Sequence, residues 1–234
     1  VIQERGQVTL VNSGEADTAT FAVLPFLQKQ GVNQIDWAIA LDSQRHLRSG
    51  WLQILQSLSI KTFYDNNANT KTASVDAQSQ NATVSSAEIA SAVQAQQGNY
   101  QLVSTGQKIA VGSTQIELVS ANPPALQLQI HNRSWLLLGM MKQDIQRYLA
   151  VSGHLAPVQV LWWSGESLAP ELLEALKPKV AIASSKAIDP DAVQLLQKSK
   201  IPLYWTGRDG AIGWTPNRDF ETTLEEINRD APLL

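Results

Sequence analysis

Three histidines, His46, His131 and His154, are the only imidazoles in the 234 residues, and there is no cysteine. Without cysteine the chain has no disulfide, no zinc–thiolate site and no thiol nucleophile. A catalytic zinc site would need about three His, Asp or Glu ligands around one ion, and these histidines are dispersed. His46 ends the run Ala40-Leu41-Asp42-Ser43-Gln44-Arg45-His46 and reads as a residual ligand, a proton shuttle or, more simply, a surface residue. His131 beside a hairpin turn and His154 after Ser152-Gly153 read as exposed loop residues. Two carboxylates, Asp42 and Glu166, would hold Mg²⁺ if they met in one cleft, because Mg²⁺ takes few protein ligands and keeps its waters.

Other chemistry-bearing patterns are absent. Ser164-Gly165-Glu166-Ser167 lacks the G-x-S-x-G spacing of a nucleophile elbow. Thr206-Gly207-Arg208-Asp209-Gly210 lacks the Lys-Ser/Thr ending of a P-loop and reads as a turn. Trp162-Trp163 sits where strand alternation sends one ring inward and the other outward. With Trp135, Trp205 and Trp214, such rings offer a platform on which unpaired bases could stack, or core filler. Arg45 and Arg48 suit a phosphate or a partner loop, or local ion pairs with groups such as Asp42.

The elements that must carry these residues alternate. Val1 to Glu4, the turn Arg5-Gly6 and Gln7 to Val11 form a hairpin. Thr18 to Gln30, with Phe21, Leu24 and Leu27 at helical spacing, reads as a helix laid on a sheet and stopped by Gly31. Strand 35–41, helix 51–58 and strand 61–64 follow, a βαβα pattern that implies parallel pairs covered by helices. Residues 65–99 form a polar insertion with one surface helix at about 86–97, read as a solvated cover or a recognition loop. Hairpins follow at 107–119, around Gly112-Ser113, and at 126–138, around Asn132-Arg133. Next come helix 142–151, strand 158–161, helix 170–176 and strand 180–183. A helix opened by Asp189-Pro190, strand 203–205 and hairpin residues 211–214 complete the pattern. Residues 221–234 read as a frayed tail helix. The expected architecture is a single domain over 1–234, a four-layer αββα sandwich.

Composition narrows the partners. The chain is 44% hydrophobic, enough for a sizeable core, and 17% charged, below the roughly 25% of an average protein. A net charge of −3 provides no field that would draw in nucleic acid from a distance. The longest apolar runs, such as Trp135 to Met141, fall far short of the roughly 20 residues of a membrane helix. Val1-Ile2-Gln3-Glu4 has neither basic nor apolar leader character, and reads as the middle of a longer protein.

Three segments resemble the metallo-β-lactamase-like domain of ComEC DNA-uptake proteins. Val23-Leu24-Pro25-Phe26-Leu27 with Gly31-Val32-Asn33-Gln34-Ile35-Asp36 is similar to the family's "VLPYLRSRGI..LD". Residues 172–182, LLEALKPKVAI, resemble "FLEAVKPKVAI", and residues 201–212, IPLYWTGRDGAI, resemble "IPVYRTDRDGAI". The resemblance runs nearly end to end, and places the family's first strand upstream of Val1. It implies a metallo-β-lactamase-type αββα fold and a role in natural transformation, where metal-binding relatives are thought to degrade the strand left outside.

The same resemblance maps the metal-binding positions, and this chain departs from them. Where the family carries "THPDADH", Leu41 replaces the first His, Ser43 the next ligand and Arg45 the Asp, leaving His46 alone. Met140 stands for the Asp of "TGD", and Trp162-Trp163-Ser164-Gly165 for "HHGS", with Trp163 at a former ligand position. Lys186-Ala187-Ile188-Asp189-Pro190 carries no His, and the early "DGG" reads Asn12-Ser13-Gly14. One ligand-type residue does not hold a catalytic metal, and Arg45 would put a permanent positive charge where the cation belongs. Leu41, Met140, Trp162 and Trp163 are expected to fill the emptied cleft. The implied reading is a domain without cofactor or catalytic residues. It would act as a scaffold, a docking surface or a weak guide for single-stranded DNA, with the membrane channel of the same protein and other competence proteins as partners. It would be held at the inner membrane on the periplasmic side. The rival is an active metal-dependent hydrolase or nuclease with a rebuilt site at Asp42 and Glu166.

Overall fold

The structure, a computed structural model, describes residues 1–41, 45–66, 84–153 and 155–224, with the backbone alone at 45 and 46. The chain divides into two compact units, Val1–Pro124 and Ala125–Leu234.

The first unit opens on β1 (Ile2–Glu4) and β2 (Gln7–Val11), paired antiparallel around Arg5-Gly6. Both turn residues take positive φ, 49° and 79°, the backbone that matches the twist of a two-residue hairpin. The expected helix then forms in three parts: α1 (Ala16–Thr18), a π-helical turn (Ala19–Val23) and α2 (Leu24–Lys29). Leu24 and Leu27 are buried, but Phe21 is 77% exposed. The spacing 21, 24, 27 assumed a uniform helix, whereas the π turn widens residues 19–23 and shifts the phase of everything before Leu24.

Strand β3 (Gln34–Ala40), a 3₁₀ turn (Arg45–Arg48), α3 (Gly50–Ser57) and β4 (Ser59–Asn66) continue the alternation. Two further elements, α4 (Ser86–Ala95) and β5 (Asn99–Val103), extend it. The sheet runs β1-β2-β3-β4-β5, and β2 to β5 pair in parallel. The segment expected to be a solvated insertion is therefore corrected over its described part. Asp65 and Asn66 belong to β4, and α4 lays Ile89 and Val93 into a core with Leu27, Ile35, Trp51, Ile54 and Phe63. Ser85 and Glu88 start α4 by capping each other's backbone N–H. Residues 67–83 lie outside the described residues. The hairpin of β6 (Lys108–Val111) and β7 (Thr114–Ala121) turns at Gly112, φ 61°, as expected.

The second unit is built on β8 (Pro124–Ile130), β9 (Arg133–Leu138), β10 (Val160–Trp163), β11 (Val180–Ala183) and β12 (Leu203–Trp205). They run β12-β11-β10-β9-β8, parallel from β9 to β12. The β8–β9 turn is His131-Asn132, one residue earlier than expected, with His131 itself at φ 50°. Helices α5 (Gln143–Val151), α6 (Pro170–Leu176) and α7 (Pro190–Lys198) connect the parallel strands. Asp189 caps α7 by accepting from the amides of Asp191 and Ala192. A single helical turn, α8 (Thr206–Asp209), stands where a turn is expected, and β13 (Ile212–Thr215) pairs with β14 (Arg218–Thr222). Glu221 and Thr222, expected to open a tail helix, end β14 instead, because Phe220 and Thr222 are buried on alternate residues, a strand period. Residues 225–234 lie outside the described residues. Among the described residues no helix is long and apolar enough to cross a membrane.

Candidate functional site

In open parallel sheets, sites form in the loops beyond the carboxyl ends of the strands. In the first unit these are the segments after β2, β3 and β4. Asn12, in the left-handed region at φ 56°, accepts from the Leu41 amide at 2.8 Å through its Oδ1. Asn66 Nδ2 donates to the Leu41 carbonyl at 3.3 Å and to the Ala121 carbonyl at 2.6 Å. Leu41 is thus held by its backbone on both sides, and its side chain is buried. The two following helices cap each other. The Ala16 amide at the start of α1 donates to Ser49 Oγ at 2.9 Å, and the Gly50 amide opening α3 donates to the Gly14 carbonyl at 3.1 Å. A Cβ at position 50 would lie 2.6 Å from that carbonyl oxygen and 2.9 Å from Ala19 Cβ, so only glycine fits.

Beneath this corner lies a buried charge pair. Arg48 Nη2 meets Asp65 Oδ2 at 2.5 Å, with the side chains 2% and 0% exposed. Arg48 Nη1 donates to Ser86 Oγ at 3.1 Å, and the Tyr100 hydroxyl donates to Asp65 Oδ2 at 2.6 Å. Burial, then the hydrogen bond and charge of Asp65, push the Tyr100 phenol well above its ordinary range, so it stays a donor. Of the readings for Arg48, phosphate, partner loop or ion pair, the structure shows an ion pair, with a partner other than Asp42. Arg48 pairs with Asp65, seventeen positions away, and the pair is inside the protein. Its Nε is buried without an acceptor among the described residues.

In the second unit the corresponding segments follow β10, β11 and β12. Trp163 is 3% exposed and its indole N–H donates to the Glu166 carbonyl at 2.9 Å, while half-buried Trp162 donates to Ser184 Oγ at 2.6 Å. One ring is inside and one towards solvent, as alternation requires. The loops are closed over one another. The Asp189 amide donates to the Gly165 carbonyl at 2.9 Å, Trp205 Nε1 donates to the Ser185 carbonyl at 2.7 Å, and the Ser185 amide donates to Thr206 Oγ1 at 3.1 Å. Gly165, at φ 86°, has no room for a side chain, since a Cβ would lie 2.7 Å from that of Ser185. Glu166 points to solvent.

Met140 corrects another expectation. It is 49% exposed rather than cleft filler, and its neighbour Met141 takes the buried place at 4%. The open aromatic platform is likewise not present. Trp135 is buried, packed edge to face on Trp214 with centroids 5.6 Å apart, and Trp205 is tied to Ser185. Asp42, Ser43 and His154 lie outside the described residues, Arg45 and His46 are placed by backbone alone in the 3₁₀ turn, and His131 is exposed. Among the described residues no three His, Asp or Glu side chains gather as a metal would require. The Arg48–Asp65–Tyr100 cluster was missed by sequence reasoning. Its only signals were single charges on separate elements.

No family model and no curated protein matches the sequence, but solved structures match the fold. A metal-dependent hydrolase of the β-lactamase superfamily, Tm1679, superposes with a TM-score of 0.56 at 11% identity, over 84% of each chain. Zn²⁺-bound PqqB from Methylobacterium extorquens gives 0.48 at 11% identity, over 92% of this chain and 66% of its own, just under two thirds of its length. A diphosphatase of the PhnP family gives 0.48 at 9% identity, over 87% and 78%. The chain shares its mixed α/β fold with Tm1679, the metal-dependent hydrolase of the β-lactamase superfamily.

Proposed function

We propose that this chain is a catalytically inactive metallo-β-lactamase-like domain of a ComEC-type DNA-uptake protein. It acts as a scaffold or docking module beside the membrane channel, with weak guidance of single-stranded DNA as a further role. The observation that carries the reading is what occupies the former ligand positions. Leu41 is buried and has no lone pair to offer, and Trp163 is buried with its indole N–H already given to a carbonyl. Neither can coordinate a hard cation, and the loops around Trp163 are tied to each other rather than open to a substrate. Membrane association then comes from the rest of the protein, on the periplasmic side. The rival, a hydrolase with a metal at Asp42 and Glu166, draws its support from the fold.

Two assays separate them. Purified protein incubated with single- and double-stranded DNA and Zn²⁺, Mn²⁺ or Mg²⁺ is expected to leave the DNA intact. Metal-dependent cleavage that disappears in Glu166→Gln would establish the rival. In the source organism, deletion of the domain is expected to lower the frequency of natural transformation, and Glu166→Gln to leave it unchanged. Unaltered transformation after deletion would refute the ComEC assignment.

A further inference from the structure

At the start of β9, Arg133 lies against an aromatic cluster contributed by β9, β12 and the β13–β14 hairpin. Its Cζ is 4.8 Å from the Trp214 ring centroid and 5.3 Å from that of Phe220. Trp135 packs edge to face on both rings, at 5.6 and 5.9 Å, and Tyr204 lies 5.2 Å from Phe220. Rings packed on a guanidinium fix its plane and leave its N–H edges to make hydrogen bonds.

Among the described residues those edges have no acceptor. Arg133 makes no side-chain hydrogen bond or ion pair among the described residues, although it is half-buried. The carboxylates of the hairpin are engaged elsewhere: Glu221 with Arg218 at 3.3 Å, and Asp219 with the Phe220 amide at 3.0 Å. Two further donors in the cluster, the indole N–H groups of Trp135 and Trp214, are buried with no acceptor among the described residues. Buried donors without partners are rare in folded proteins. Here two of them stand beside an unpaired, pre-oriented guanidinium. Among the described residues the cluster is rich in donors, and no carboxylate is bonded to them.

We propose that Arg133, braced by Trp214 and Phe220, is an oxyanion-binding site that takes a carboxylate or a phosphate group edge-on through two parallel N–H···O bonds. The planar fork of arginine matches both anions. The site depends on the geometry of this cluster and not on the domain's role in DNA uptake.

The test is a titration of the full chain followed by ¹⁵N NMR of the arginine Nε–H and tryptophan indole N–H signals. The probes are sodium phosphate, sodium acetate and sodium chloride at matched ionic strength. Phosphate, acetate or both should move the Arg133 and Trp214 signals saturably, with a dissociation constant on the order of millimolar for a single bidentate contact. A response to phosphate alone identifies a phosphate group as the natural ligand, and one to acetate alone a carboxylate. Arg133→Lys keeps the charge and loses the fork, and should weaken binding about tenfold. Arg133→Met should abolish it, and Arg218→Gln should leave it intact. An equal response to chloride, no response to either oxyanion, or unchanged affinity in a folded Arg133→Lys protein would overturn the proposal. So would signals that respond only after removal of residues 225–234, because the chain's own Glu225 and Glu226 would then be the occupants.

Discussion

The described parts of the two strand-end regions are held together by different physics. In the first unit the described contacts are a buried ion pair, Arg48–Asp65, two asparagine side chains and a pair of helix starts that cap each other. In the second they are indole and hydroxyl donors bonded to loop carbonyls, with the ion pair Arg208–Asp209 more open to solvent, Arg208 being 56% exposed. Concentrated electrostatics make the first region vulnerable to single substitutions. Distributed neutral hydrogen bonds should make the second tolerant.

The largest expected effect is therefore at Arg48. Arg48→Met strands the Asp65 carboxylate in the interior and should cost about 3–5 kcal/mol in urea unfolding. A loss under about 1 kcal/mol would mean that water reaches the pair. Gly50→Ala should come next, at about 1–3 kcal/mol, because the added methyl meets the Gly14 carbonyl and Ala19.

In the second region, Asp209→Asn should cost only about 1 kcal/mol, the scale of a partly solvated charge-assisted bond to the Trp205 amide and Arg208. Its pH dependence sharpens the comparison. The hydrogen bond from Arg208 lowers the Asp209 pKa, and this outweighs the opposing effect of burial. A carboxylate whose folded pKa lies below its unfolded one contributes stability above the ordinary carboxylate range, and that contribution disappears as pH falls through the lowered value. Acid titration of wild type and Asp209→Asn should therefore converge at low pH and diverge towards neutrality. The smallest effect is expected from Trp162→Phe, which removes one exposed bond to Ser184, at about 0.5–1 kcal/mol.

Regular stretches were readable from sequence because each carries its own boundary signals. Asp189-Pro190 marks the start of α7, and helix 170–176 and strand 180–183 fall where their apolar runs place them. One element, β5, and the buried face of another, α4, were obscured. Strand β5 sits at a sheet edge with Asn99, Gln101 and Leu102 all exposed, so no alternation survives to be read. Helix α4 hides its buried Ile89 and Val93 in a run of Ser, Ala and Gln. Phase was the subtler failure: the π turn exposes Phe21, and the turn after β9 buries Met141 in place of Met140. The Arg48–Asp65 pair was illegible because nothing local distinguishes a buried charge from a solvated one. Its partner is fixed by the parallel register of β3 and β4, which brings Asp65 beside Ala40.

The central proposal, that this chain shares the fold of a metal-dependent hydrolase but holds no metal, is tested most directly by metal content. Purified protein is incubated with Zn²⁺, Mn²⁺ or Mg²⁺, desalted and measured by mass spectrometry. Less than about a tenth of an ion per chain is predicted, as for a protein lacking a ligand set. Near-stoichiometric Zn²⁺ or Mn²⁺, lost in Glu166→Gln, would contradict it.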